Sequence, residues 1–192
     1  MKKSVFSLVL AVVVGSTAFA TTPVEVVKKE VKTSESTVTW KGYKVTGSHY
    51  GTINLKEGAL MFDGDKLTGG EFVVDMTSLI STDLEGESKG KLEGHLKSDD
   101  FFGTSNYATS KLVFTTVKAT GKNSYQVTGD LTIKGKTNPV TFDVSVYGNK
   151  ATATMKVDRS KYDVKYGSGS FFDNLGDKTI YDEFDLVVDL AF

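Results

Sequence analysis

The chain predicts an all-β, antiparallel domain of about eight strands, and three observations carry that expectation. Most of its apolar residues alternate with polar ones, the period of a strand with one dry and one wet face. Turn-forming clusters recur between the alternating runs, at Asp63-Gly64-Asp65-Lys66, at Gly135-Lys136-Thr137-Asn138-Pro139 and at Tyr147-Gly148-Asn149-Lys150. The composition agrees, because 19 Gly, 12 Phe and 8 Tyr against only 2 Pro suit a turn-rich β protein with enough apolar material for a core. A twisted sheet of this size either closes into a barrel or splits into a sandwich, and periodicity leaves both open.

The first residues form an export signal rather than part of the domain. Lys2 and Lys3 precede an apolar stretch from Val5 to Val14, and Ala18-Phe19-Ala20 is a small-x-small cleavage site. The apolar stretch is too short for a stable membrane span. Residues 1–20 are therefore expected to be removed, 21–36 to form a polar leader or edge segment, and 37–192 to form the domain.

Strands follow in order. Val38 and Trp40 share a face in the run from Thr37 to Val45. Gly47-Ser48 and Gly51 are expected to bracket a turn, with Thr52–Leu55 and Gly58–Asp63 extended beyond it. From Leu67 to Met76, Phe72, Val74 and Met76 point one way. The rhythm then breaks. Between Thr82 and Ser98, Leu84, Leu92 and Leu96 recur on one stripe and predict a short helix, weakened by Gly86, Gly90 and Gly94 at roughly 1 kcal/mol each. Asp99-Asp100 ends it and Phe101-Phe102 follow as a paired anchor. Strands resume at Lys111–Lys118, with Leu112 and Phe114 opposite Val113, Thr115 and Val117. The clearest hairpin comes next. Val127, Leu131 and Ile133 share a face on its first strand, as do Phe142 and Val144 on its second, with Gly135–Pro139 as the turn. Ala151–Val157 and Tyr181–Leu190 complete the set. The long connection between them, Asp158–Ile180, carries Tyr162, Val164, Tyr166, Phe171, Phe172 and Leu175, and is expected to fold over one end of the sheet as a lid.

Charge and chemistry exclude several functions. The net charge is −1, with 23 basic and 24 acidic residues, and Arg159 is the lone Arg, so the charge footprint of a nucleic-acid reader is missing. No Cys is present, which excludes disulfides and N-terminal lipidation through Cys. The only histidines, His49 and His95, show no metal-ligand spacing, so no metal site is expected, and His95 is read as a structural hydrogen-bonding residue. Gly-x-Ser-x-Gly occurs at Gly86-Glu87-Ser88-Lys89-Gly90, but within the stretch read as a helix rather than on the strand-to-helix turn of a nucleophile elbow, and Gly167-Ser168-Gly169-Ser170-Phe171 lacks the ending of a phosphate-binding loop. Neither catalytic residues nor a cofactor are expected.

The segment His95-Leu96-Lys97-Ser98-Asp99-Asp100-Phe101-Phe102, followed by Asn106-Tyr107-Ala108 and Leu112-Val113-Phe114, resembles the signature of the YceI-like family. So does Thr128–Gly135 running into Thr137-Asn138-Pro139-Val140, and together the blocks relate residues 37–192 to that family. The resemblance implies an eight-stranded antiparallel, lipocalin-like β-barrel with a short helix and a long lid loop. It further implies a periplasmic, non-enzymatic protein that holds a long-chain isoprenoid or similar fatty amphiphile, tail inside and head near the mouth, for sequestration or transport. A homodimer is part of the same expectation; nucleic-acid binding and stable membrane insertion are not. The family often carries a basic residue three positions before the motif His. This chain has Leu92 there, so no head-group role is carried over to that position. The alternatives are a filled barrel serving as a structural or interaction module and an esterase-like enzyme.

The residues expected to line or gate a cavity are Trp40, Phe62, Phe72, Phe101, Phe102, Phe114, Leu131, Ile133, Phe142, Tyr162, Phe171 and Phe172. Arg159, where the lid begins, has two expected roles. It pairs either with an anionic or hydroxylated head, or with a nearby carboxylate such as Asp163 or Asp173.

Overall fold

The computed structural model describes residues 25–192. The export signal read over residues 1–20 lies outside the described residues. Nine strands form one antiparallel sheet: β1 (Val26–Glu30), β2 (Thr37–Lys44), β3 (Gly47–Asp63), β4 (Lys66–Ser81), β5 (Thr109–Gly121), β6 (Ser124–Ile133), β7 (Lys136–Tyr147), β8 (Lys150–Asp158) and β9 (Ile180–Ala191). Each of β2 to β9 pairs with its chain neighbours, and the β2–β9 pairing closes them into an eight-stranded barrel. Strand β1 comes from the expected leader. It pairs with the second half of β3, from Val26↔Asp63 to Glu30↔Ala59, on the edge that β2 covers along the first half. One helix, α1 (Gly86–Lys97), interrupts the sequence of strands.

The period-two pattern aims one face of every strand inward, but bulges decide where it changes phase. On β5 the register against β6 shifts between Phe114 and Thr116. Phe114 and Val117 therefore both pack on the core, although strict alternation puts them on opposite faces. The turn expected at residues 47–51 also proves different: β3 starts at Gly47 and the chain turns at Val45-Thr46. Gly51 is inside the strand for a packing reason. The Trp40 indole N–H reaches across it to the Ile80 carbonyl at 3.1 Å, and a Cβ at Gly51 would collide with that carbonyl.

The β6–β7 hairpin is tighter than Gly135–Pro139 suggested. Its turn is Lys134-Gly135, both with positive φ (50° and 72°), the requirement of a two-residue loop of the twist-matched kind. Lys134 is an unusual residue for that conformation. Its Nζ donates to the carbonyls of Asp99 and Phe101, both at 2.9 Å, so tertiary bonds hold it there. Pro139 then lies within β7, opposite Asp130. Strand β8 pairs with β7 only from Asp143 onward, so no ladder bond is lost at the Pro.

The two ends of the barrel differ. At one end Phe62 and Phe192 stack at 5.6 Å beneath the Lys29 ammonium, with Val31, Val38 and Leu67 buried around them. At the other end lie α1, the Phe101-Phe102 pair and the segment between β8 and β9. Among the described residues no helix is long and apolar enough to cross a membrane.

Candidate functional site: a one-ended apolar cavity

Inside the barrel is a cavity of about 300 Å³. Its wall is built by the inward residues of all eight barrel strands, including Val38, Trp40, Ile53, Phe72, Met76, Leu112, Phe114, Leu131, Phe142, Val144, Met155, Leu186 and Val188. Small side chains on β8, Ala151 and Ala153, line the same cavity as an aromatic cluster in which Phe114 packs tilted against Phe72 (5.6 Å) and edge-on against Phe142 (5.8 Å). Leu92, His95 and Leu96 of α1 complete the wall at the open end with Phe101 and Phe102.

Among the expected lining residues, Trp40, Phe72, Phe101, Phe102, Phe114, Leu131, Phe142 and Arg159 border the cavity. Phe62 does not, because it forms the plug at the far end. Ile133 and Tyr162 are buried beside the cavity rather than on it. Phe171 and Phe172 are half exposed on the outer side of the β8–β9 segment, with Lys165 over the Phe171 ring at 5.3 Å. Bonds within residues 168–172 turn the backbone so that these two rings face outward. The Ser168 carbonyl accepts from the amides of Phe171 and Phe172, and the fully buried Ser168 hydroxyl accepts from the Ser170 amide.

Tyr162 is the best-buried large side chain of that segment, 1% exposed, and its hydroxyl has no partner. Burial, with the nearby Asp158 charge, pushes the phenol up to about 12.

Arg159 is 2% exposed and anchors the segment. Its Nε donates to the Tyr181 carbonyl (3.2 Å), Nη1 to Val164 (2.8 Å) and Nη2 to Ile180 (2.9 Å), while Asp182 Oδ1 is 3.4 Å away. Its carboxylate partner is thus Asp182, whereas Asp163 is taken by Lys165 at 2.8 Å. Burial pulls the guanidinium down from its ordinary value, and Asp182 and Asp158 oppose that pull. The planar group also lies over the Phe101 ring at 5.4 Å, tying the segment to the cavity wall.

Polar side chains on the wall gather at one end. Tyr43, Lys44, His49, His95, Ser110, Arg159 and Tyr181 all come from strand ends, α1 or the β8–β9 segment, and Thr152 lies toward the plug. Both histidines of the chain are therefore at the mouth. Only their presence was legible in the sequence, since residues 46 positions apart meet through barrel closure. The expected hydrogen bonds of His95 are not made: Nε2 is buried without a partner, and the ring packs edge-on against Tyr166 (4.3 Å) and Phe101 (5.7 Å).

His49 is held differently. Its Nδ1 is 2.8 Å from Asp83 Oδ2, while Asp83 Oδ1 accepts from the Ser81 hydroxyl (2.7 Å) and the Tyr50 amide (3.2 Å). Burial works against the Asp83 charge, but the bonds from Ser81, His49 and Tyr50 outweigh it and keep the carboxyl below its usual range. This cluster is not arranged for nucleophilic catalysis, because Ser81 is fully buried and its hydroxyl serves the carboxylate rather than the imidazole. Among the described residues no group of three or more His, Cys, Asp or Glu is placed to hold a metal ion.

Comparison with known proteins gives a consistent result. A family model described as YceI-like domain matches residues 30–192. A UPF0312 protein of Shewanella denitrificans is 33% identical over 98 residues, 51% of this chain and 49% of the relative. One from Pseudomonas savastanoi pv. phaseolicola is 29% identical over 152 residues, 77% of this chain and 74% of the relative. The chain spans about half the length of the first curated relatives it matches. Among solved structures, BcnA of Burkholderia cenocepacia is similar with a TM-score of 0.63 at 23% identity, covering 84% of this chain and 99% of BcnA. A polyisoprenoid-binding domain from Saccharophagus degradans, implicated in plant cell wall breakdown, is similar with a TM-score of 0.56 at 13% identity, covering 87% and 99%. At these identities the two structures establish the shared fold.

Proposed function

The chain belongs to the YceI-like family, and from that premise we propose that it binds a long-chain isoprenoid or similar amphiphile, tail in the barrel and head at the mouth. One observation carries the reading: a cavity of about 300 Å³ whose wall is mainly apolar and whose polar side chains, Thr152 apart, stand toward its open end. Water gains few partners in such a space, whereas an alkyl or prenyl chain contributes roughly 0.8 kcal/mol for each buried CH₂. The name of the Saccharophagus degradans domain supports an isoprenoid in particular.

The same reading makes the protein a carrier or sequestering agent rather than an enzyme. The signal-like residues 1–20 support export to the periplasm as part of this reading. The alternative of a filled structural barrel is disfavoured by the cavity. Native mass spectrometry of protein purified from its own host tests the proposal. The expected spectrum contains a mass increment that extracts into organic solvent as a lipid, and it also reports whether the protein is the expected dimer. Preparations that carry no lipid and take up no isoprenoid quinone on incubation would refute it.

A further inference from the structure

We propose that His49 reads the ligand's head group, and that it selects a head bearing a hydroxyl, such as a prenol or a hydroquinone. This rests on the lipid-binding reading and gives its polar end a chemistry.

The imidazole is oriented by a carboxylate that has no freedom of its own. Three donors fix Asp83: Ser81 Oγ and the Tyr50 amide on Oδ1, and His49 Nδ1 on Oδ2. A neutral imidazole bonded to a carboxylate through Nδ1 carries its proton there, which leaves Nε2 as a lone pair. Among the described residues no protein group bonds Nε2, and His49 lines the cavity at its mouth. Directly across the β2–β3 ladder stands Gly42, also on the cavity wall. A Cβ built on Gly42 meets nothing within 4 Å, so open space lies beside the imidazole where a side chain would otherwise sit. A second nitrogen without a partner, His95 Nε2, is buried at the same mouth.

A fixed lone pair facing open space discriminates between heads. A hydroxyl donates to it. An ether or carbonyl oxygen presents a second lone pair and leaves both groups unpaired, which is the costly arrangement. The competing chemistry is an anionic head drawn to Lys44, which lines the same rim.

The test measures displacement of the apolar dye N-phenyl-1-naphthylamine by farnesol, farnesyl methyl ether, farnesene and farnesyl phosphate. Wild-type protein is expected to prefer the alcohol over the ether by about three- to tenfold more than His49→Phe does, the range a single neutral hydrogen bond produces. Asp83→Asn gives a second, sharper readout. The Tyr50 amide can only donate, so the Asn carbonyl must stay where Oδ1 was, and its NH₂ faces His49 Nδ1. That forces the proton onto Nε2, a donor that alcohol and ether oxygens both accept, and should erase the preference for the alcohol. An alcohol preference unchanged in both variants overturns the proposal and leaves lipid binding standing. So does a phosphate preference insensitive to His49→Phe. Failure of all four compounds to displace the dye removes the lipid-binding reading together with the proposal.

Discussion

Arg159 shows at the scale of one residue what sequence position conceals. As the lone Arg at the start of a long connection it suggested a head-group contact or an ion pair with Asp163 or Asp173. The fold instead directs it onto three backbone carbonyls, those of Val164, Ile180 and Tyr181, and beside Asp182. Val164 lies in the β8–β9 connection, and Ile180 and Tyr181 open β9 ahead of its pairing with β8, which reaches only to Glu183, so the guanidinium takes carbonyls that no β8 ladder partner serves. Arg159→Met is expected to destabilise the protein by about 3–5 kcal/mol, because it strands Asp182 and the three carbonyls in a dry site, with Arg159→Lys recovering only part. Urea unfolding of the three proteins measures this. A second prediction concerns acid. The Tyr43 hydroxyl donates to Asp185 at 2.5 Å and Lys156 lies 3.2 Å from its other oxygen. The Tyr43 bond first, and then Lys156, hold the carboxyl below its usual value against the opposing effect of burial. A group depressed on folding stabilises above its unfolded value, about 3.9, and that contribution disappears as pH falls through the lower folded value. Stability should therefore decline below about pH 4, less steeply in Asp185→Asn, as read from midpoints between pH 6 and pH 2.

At the scale of elements, α1 is the part of the wall least secured by its own sequence. Its apolar stripe was legible through Leu92 and Leu96, which do face the cavity, but Leu84 falls before the helix begins at Gly86. No side chain caps its N-terminus, and none of its residues is fully buried. What holds it is tertiary: the Ser81 amide donates to Glu93 at 2.9 Å, and Phe102 donates its amide to the Leu96 carbonyl at 3.1 Å. Gly90 and Gly94 have open space where a Cβ would be. Gly90→Ala and Gly94→Ala should each add about 1 kcal/mol to helix stability without a clash. Hydrogen exchange within residues 87–97 should slow accordingly; unchanged exchange would mean that the packing already fixes the helix. The hairpin β6–β7 illustrates the opposite case. Alternation alone located both strands, because each has one wet and one dry face. Its turn was misjudged because Lys134 adopts positive φ only with support from the carbonyls of Asp99 and Phe101, a contact 33 to 35 residues away. The bulge on β5 was equally illegible: at Thr115 the phase changes with no Gly or Pro to announce it.

For the whole molecule, direction was readable and volume was not. Period two assigns Val144, Ala153 and Val188 to the inside, and the pairings Val144↔Ala153 and Ala153↔Val188 set them side by side on adjacent strands. Whether such a layer fills the barrel depends on the summed size of side chains from eight strands, and no local pattern carries that sum. The small side chain of Ala153 helps keep about 300 Å³ open. Ala153→Phe would push an aromatic ring into that space, toward the packed interior of a filled barrel. Overpacking a dense core costs about 1–3 kcal/mol, whereas a ring entering an empty apolar space gains contacts and expels nothing. The two situations thus give opposite signs. If the barrel is a lipid container, Ala153→Phe should keep or raise the thermal midpoint of lipid-stripped protein while lowering the lipid carried per chain in native spectra. A drop in midpoint with lipid load unchanged would show that the tail lies elsewhere, and the container reading would fail at the level of the barrel itself.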